Sequence, residues 1–283
     1  MSKFDIFTYQ ISPLSNYQMG LFDEDITIDQ LISRKNKIFE SIFDNSLSFF
    51  SSRNKLKYKI EHISNEFILL RLANKRTLKI EIDFQSEYKE IEPSCLIAIY
   101  NDPEVQLIAI ESDKTSFGNS FSVLKILEKA IDRRLTNYNL RFYPQPKYEE
   151  KVLWDLLKKY EGRIEKLQFE FSKPNLARVN RSISEDLKEA SKILNSATTK
   201  VEFEAPKNQA LENLNEENQF LSGMVKSSSD GAGPAKIKLT GLRSWESTES
   251  TVKSFSIDSL EIEADQKTIS TFVKAIKDKL TGE

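Results

Sequence analysis

The feature that most constrains this chain is a pair of apolar runs joined by a short turn. Residues 95–100 read CLIAIY and residues 104–111 read EVQLIAIE, with Asn101, Asp102 and Pro103 between them. Asn and Asp side chains can hydrogen-bond their own backbone in a turn, and proline stops a strand from running on. Because neither run alternates with polar residues, we expect a β-hairpin in the interior of a sheet. Helices or a second layer should cover both of its faces.

A meander of strands is predicted before this hairpin. Residues 58–63, 67–72 and 77–82 have strand composition, and short polar connections separate them. The last strand alternates strictly up to residue 84, with one face formed by Leu78, Ile80, Ile82 and Phe84 and the other by Lys79, Glu81 and Asp83. This pattern predicts one covered face and one solvent-exposed face.

The rest of the chain mixes helical and strand patterns. Apolar spacing predicts helices at residues 28–43, 121–135, 149–160, 182–194 and 265–280, and a polar helix at 208–224. The run KSSSDGAGP at 226–234 is typical of a flexible linker. We therefore predict an α+β fold. A mainly antiparallel N-terminal sheet with flanking helices covers residues 1–160, and a smaller α+β lobe covers residues 161–283, either as a separate unit or within one continuous domain.

Composition excludes several classes of function. A formal net charge of −2 over 283 residues excludes a generally basic surface for nucleic acid or anionic membrane, but it leaves a local basic patch open. The single cysteine cannot form an intramolecular disulfide, and with no signal peptide in the sequence we expect a cytoplasmic protein. No apolar run approaches the ~20 residues that a membrane-spanning helix needs, so no membrane partner is expected.

The side chains most suited to chemistry each have a simpler interpretation. Glu81, Asp83 and Lys79 have the residue types of a metal-dependent nuclease, in which carboxylates hold Mg²⁺. They also alternate with apolar residues, as on any exposed sheet face. Cys95 begins an apolar strand and is expected to be a small buried side chain, while His62, the only histidine, lacks an orienting partner for a general base. We predict no catalytic residue, no metal ligand and no cofactor.

Local charge is more informative than total charge. Residues 33–59 contain seven Lys or Arg and two acids, whereas residues 201–230 contain six acids and two lysines. A basic face with an aromatic side chain such as Tyr58 can bind a phosphodiester backbone. The candidate nucleic-acid-binding residues are therefore Lys55, Lys57, Lys59, Arg133 and Arg134. The alternative is that the two arginines favour a helix C-terminus and that the lysines only keep strand faces soluble.

One family resemblance rests on several of these segments. The NDP turn at 101–103, the strand ending in Ile110 and Glu111, the capped helix after it and the run IEKLQFEFSKPN at 164–175 resemble a family of uncharacterised bacterial proteins. These proteins have similar lengths and are often noted near phage-defence or mobile-element genes. The likeness covers about residues 4–194. It implies a cytoplasmic bacterial component of an anti-phage system, and it brings no catalytic residues.

These observations favour a non-enzymatic binding or sensor protein that acts through protein–protein or nucleic-acid contacts. A protein partner or a homo-oligomer is expected. One alternative is a metal-dependent nuclease-type effector using Glu81, Asp83 and Lys79. Another is a structural subunit of a larger complex, in which the polar helix at 208–224 and the acidic late segment meet a basic partner.

Overall fold

The computed structural model describes residues 2–14, 27–43, 47–64, 66–172, 189–190, 193–194, 196, 198–257 and 266–281. Its sheets are mostly antiparallel and are combined with helices, so the predicted α+β class is confirmed. The strands are β1 Ser2–Pro13, β2 Phe50–Ser51, β3 Asn54–Lys55, β4 Lys57–Ile63, β5 Phe67–Ala73, β6 Arg76–Ile82, β7 Gln85–Ile91, β8 Ser94–Asn101, β9 Gln106–Glu111, β10 Leu140–Pro146, β11 Ile164–Ser172, β12 Thr198–Glu204, β13 Ala235–Leu239, β14 Trp245–Ser247 and β15 Ser254–Ile257. The α-helices are α1 Ile28–Ser41, α2 Ser120–Leu135, α3 Glu150–Lys159, α4 Gln219–Ser227 and α5 Gln266–Thr281. Most of the helix predicted at 182–194 lies outside the described residues.

The chain divides into two compact units. Unit 1 comprises Met1–Pro144 and Ser254–Glu283, and unit 2 comprises Gln145–Lys253. This division differs from the boundary predicted at residue 160, because the C-terminal part of the chain returns to the first sheet. There β15 pairs with β1, placing Phe255 opposite Phe4 with their rings stacked at 5.4 Å.

The large sheet of unit 1 has the order β10-β1-β9-β8-β5-β4, with β15 also paired to β1. The β8–β9 hairpin lies in its interior and pairs Ala98 with Ala109. Side chains of α5, among them Ile276, form a core with one face of the sheet. On the other face Tyr9 stacks on Phe39 of α1 at 5.1 Å between ring centroids, and α2 contributes buried apolar residues. The prediction of an interior hairpin with helices on both faces is therefore confirmed.

The turn of this hairpin does more than reverse the chain. The Asp102 carboxylate accepts hydrogen bonds from the backbone of Glu104 and Val105 at 2.8 and 3.0 Å, as a turn residue is expected to do. Asn101 behaves differently, because it ends β8 with its side chain buried. Its amide donates to the Asn36 backbone of α1 at 3.0 Å, and its Oδ1 accepts from the hydroxyl of Tyr9 at 2.9 Å. Asn101 therefore fixes α1 to the sheet.

The strand predicted at 77–84 ends earlier than its alternation suggests. Strand β6 stops at Ile82, and Asp83 and Phe84 form a two-residue turn to β7 with φ of 48° and 62°. In the described part of the chain β6 and β7 pair only with each other. The predicted covered face is wrong, because Leu78 is 47% and Phe84 is 97% exposed. We call this ribbon, Arg76–Ile91, the β6–β7 arm.

Unit 2 has a four-stranded antiparallel sheet in the order β12-β11-β13-β14. Helices α3 and α4 contribute Leu153, Leu157 and Met224 to its core. The predicted polar helix at 208–224 is mostly irregular, and α4 begins only at Gln219, where the Asn218 side chain caps it.

The predicted linker at 226–234 is also wrong. Gly231, Ala232 and Gly233 are buried, and the Ser228 hydroxyl donates to the carbonyl of Gly233 at 2.6 Å. Small residues here allow close packing, and the segment does not supply flexibility.

Candidate nucleic-acid interface

A cleft of about 530 Å³ opens at the β4 end of the large sheet in unit 1. Three pieces of chain form it: the β2–β3 hairpin, the connection from β5 into β6, and β7. The residues that line it are Arg53, Asn54, Lys55, Leu56, Asn74, Lys75, Arg76, Thr77 and Glu90. Apart from Leu56 and Asn74 these side chains are exposed, so their charges and donors are available to a ligand.

Charge in this cleft is unbalanced, with four cationic side chains and one carboxylate. Lys75 pairs with Glu90 at 2.7 Å, and the hydrogen bond that its ammonium donates to this carboxylate raises the pKa of Lys75. Among the residues that the structure describes, Arg53, Lys55 and Arg76 have no carboxylate within ion-pair distance. The cleft therefore presents three cations whose attraction for an anion is not already satisfied.

The β2–β3 hairpin forms one wall of the cleft. Phe50 lies opposite Lys55, and Ser52 with Arg53 forms the turn, which places Arg53 at the tip. The chain before it is anchored through Phe49, which is fully buried and packs edge-on against Tyr58 at 5.0 Å. This packing fixes the start of the hairpin, and it therefore limits the positions available to Arg53 and Lys55.

The opposite wall is the connection from β5 to β6. Asn74 fixes it through two hydrogen bonds: its backbone amide donates to Pro93 at 2.9 Å, and its side-chain amide donates to the carbonyl of Ser116 at 2.8 Å. Lys75 and Arg76 follow directly and begin β6. Their positions thus depend on the two segments that hold Asn74, the connection before β8 and the turn before α2.

The structure distributes the five predicted residues unequally. Lys55 lines the cleft, and Lys57 lies beside it in an adjoining cavity of about 90 Å³, paired with Glu92 at 2.7 Å. Lys59 lies farther along β4, where Glu61 holds its ammonium at 2.7 Å. Arg133 contacts the wall, since its guanidinium lies 5.6 Å from the ring centroid of Phe50.

Arg134 is half-buried on α2 and is not among the residues that line the cleft. Three residues that do line it were not among the sequence candidates: Arg53, Lys75 and Arg76. Arg53 belonged to the basic run at 33–59, and Lys75 with Arg76 formed a dibasic turn between two predicted strands. That dibasic turn was the available signal, because a short polar connection between two strands lies at the protein surface.

The other candidate chemistry is not assembled into a site. Lys79 and Glu81 lie on the exposed arm, and Asp83 is a turn residue rather than a member of the same strand face. No group of three or more His, Cys, Asp or Glu able to hold a metal occurs in the described residues. Burial raises the pKa of the Cys95 thiol to about 12, which keeps this side chain protonated at neutral pH.

Comparison with protein-family models, with curated proteins and with solved structures finds no match to this chain. The resemblance to a bacterial family therefore stays a prediction. None of the described helices combines the length and the apolar character that crossing a membrane requires.

Proposed function

We propose that this chain is a non-enzymatic binding protein that holds a nucleic-acid backbone in the basic cleft of unit 1. The observation that supports this most is the set of three exposed cations, Arg53, Lys55 and Arg76. None of them has a carboxylate partner among the described residues. Phosphate oxygens are acceptors that such cations favour, and the exposed side-chain amide of Asn54 adds a neutral donor to the cleft.

The expected binding is electrostatic and depends on salt. A protein that neutralises three phosphates releases the ions condensed on them, so the slope of log K against log salt is about −2 to −3. Between about 50 and 200 mM salt the affinity should fall roughly 20- to 40-fold. Backbone contacts carry no sequence information, so little preference among sequences is expected.

Fluorescence anisotropy with labelled single-stranded and duplex oligonucleotides tests the proposal. The triple variant Arg53→Glu, Lys55→Glu, Arg76→Glu should weaken binding more than about tenfold and flatten the salt dependence. Single reversals at Lys57 and Arg133 should have smaller effects, because Glu92 and Phe50 already engage these side chains.

A matched control is Lys207→Glu, which reverses an exposed charge in unit 2. The proposal fails if wild type does not bind at low salt, or if the control weakens binding as much as the triple variant does.

The same assay with Mg²⁺ addresses the nuclease alternative. Cleavage that requires Mg²⁺ and disappears in Glu81→Ala would replace the binding proposal by that alternative. Intact oligonucleotide with salt-sensitive binding supports the proposal as stated. We also propose a cytoplasmic location and a role in a bacterial anti-phage defence system, in which the bound backbone belongs to nucleic acid.

A further inference from the structure

The β6–β7 arm is exposed along most of its length. Its strands pair Ile80 with Glu87 and Leu78 with Lys89, and in the described residues neither strand pairs with the large sheet. Every residue from Gln85 to Glu90 is exposed. A two-stranded ribbon of this kind is only marginally stable by itself and leaves two strand edges open for pairing.

An aromatic side chain occupies the tip of this arm. Asp83 and Phe84 both have positive φ, as the central residues of a type I′ turn do. Glycine or asparagine is favoured at such positions, and a bulky residue there costs about 1–2 kcal/mol. Phe84 is nevertheless 97% exposed, and Tyr88 on the same arm is 71% exposed. Among the described residues of unit 1 no side chain covers the ring, and we take this as a reason to look for a partner that does.

Charge changes sign along the arm. Residues 80–87, around the tip, contain Glu81, Asp83 and Glu87 and no cation. The base of the arm begins at Lys75 and Arg76 and borders the basic cleft. An acidic tip repels phosphate, so nucleic acid is disfavoured as its occupant. A surface rich in cations suits it, and the basic cleft offers four, with the buried Leu56 behind them.

We propose that the β6–β7 arm is a dimerisation element whose occupant is a second copy of this chain. The two arms lie antiparallel, so that the tip of each reaches the basic cleft at the base of the other. Glu81 and Glu87 of one copy then face Lys55 and Arg76 of its partner, and Phe84 enters the cleft. The arrangement is isologous: both contacts are the same, and it closes at two subunits.

The size of the exposed aromatic surface is consistent with this role. Phe and Tyr side chains bury about 150–250 Å² each, so four of them in a dimer, at the observed exposures of 97% and 71%, supply roughly 500–850 Å². Stable interfaces bury about 1,200–2,000 Å² in total. The strand edges and the walls of the two clefts would supply the remainder.

Sedimentation velocity over a range of concentrations at low salt tests the proposal. Wild type should show a monomer–dimer equilibrium, and Phe84→Gly should raise the dimer dissociation constant at least about 100-fold, since both rings lose their burial. Glycine suits the type I′ position, so this variant should fold at least as stably as wild type. Tyr138→Ala, which removes an exposed aromatic from another part of unit 1, should leave the equilibrium unchanged.

A charge exchange tests the antiparallel geometry. The tip variant Glu81→Lys, Glu87→Lys and the cleft variant Lys55→Glu, Arg76→Glu should each be monomeric alone, because like charges meet at both contacts. Mixed together they should form a heterodimer, because each contact of the mixed pair again joins opposite charges.

The proposal is overturned if wild type is monomeric at high concentration and low salt, or if it forms a dimer that Phe84→Gly does not weaken. A dimer that both charge variants retain separately overturns the tip-to-cleft arrangement. These outcomes do not depend on nucleic acid, so the dimer and the binding proposal can fail separately.

Discussion

Replacing Gly233 by alanine would test how closely the segment after α4 packs against β11. Gly233 has φ of 152°, a conformation that other residues rarely adopt, and a Cβ atom added there would lie 1.8 Å from the backbone carbonyl oxygen of Glu170. The neighbouring chain is held in place, because the Glu170 amide donates to the carbonyl of Pro234 at 3.2 Å. Backbone must therefore move to admit a methyl group.

Two costs add in this variant. Backbone strain at such a φ is about 1–3 kcal/mol, and forcing an extra carbon into a packed site costs about 1–3 kcal/mol more. We expect Gly233→Ala to lower the free energy of unfolding of unit 2 by about 2–6 kcal/mol. Gly241→Ala is the matched control: its φ is 79° with nothing within 4 Å of the added carbon, so only the backbone cost of about 1–2 kcal/mol should appear.

Urea unfolding followed by tryptophan fluorescence measures this difference. Both tryptophans, Trp154 and Trp245, belong to unit 2, so the signal reports that unit. The midpoint of Gly233→Ala should fall by about 2 M relative to wild type, given m values of about 1–3 kcal/mol/M. Equal midpoints for the two variants would refute the close approach of Gly233 to β11 and restore the flexible-linker interpretation.

Two further predictions concern the large sheet. Asn101→Ala should destabilise unit 1 by about 2–4 kcal/mol, because it leaves the Tyr9 hydroxyl and the Asn36 carbonyl without this buried partner. Thermal unfolding followed by circular dichroism measures the loss. The control is Asn137→Ala, which changes an exposed asparagine. Cys95 should react with a thiol reagent at neutral pH only after unfolding, because burial raises the pKa of its thiol from 9.0 to about 12. The thiol of the unfolded chain ionises at a lower pH than the buried thiol of the folded protein. The free energy of unfolding is therefore unaffected by Cys95 below pH 9, and it falls as the pH rises from 9 toward 12.

The interior position of the β8–β9 hairpin was predictable, because its sequence pattern is compatible with only one environment. A strand that is apolar at every position must be covered on both faces, wherever its neighbours come from in the chain. The return of β15 to β1 had no such local signal, since the pairing of Phe4 with Phe255 joins the two ends of the sequence. Local periodicity predicts elements, and distant pairing decides how they divide into units.

Two of the wrong predictions, the flexible linker and the covered strand face, have a common physical origin. Glycine and serine in the run 226–234 were interpreted as flexible, but small side chains also allow one backbone to approach another, as Gly233 approaches Glu170. Strict alternation up to Phe84 was interpreted as a covered strand, but alternation specifies two faces and does not supply a layer to cover one of them. In both cases composition was compatible with two environments that only the three-dimensional neighbours distinguish.

The candidate site follows the same logic. The basic run at 33–59 predicted Lys55 and Lys57, whereas Lys75 and Arg76 join them only because β5 and β6 bring their connection back beside the β2–β3 hairpin. Arg133 was predicted as a phosphate ligand, and its observed contact with Phe50 gives it a role in supporting the wall. A cationic side chain close to the cleft is therefore not always free to bind a phosphate in it.

The two proposals draw on the same cations, and this links them. A phosphate backbone and the acidic tip of a second arm would each neutralise Lys55 and Arg76, so one occupant excludes the other from a given cleft. Both contacts weaken as salt screens them, but only the arm also contributes an apolar ring, Phe84. Dimerisation should therefore resist salt better than nucleic-acid binding does. At low salt the free cleft of the monomer is the form that nucleic acid selects, and by mass action it draws chains out of the dimer.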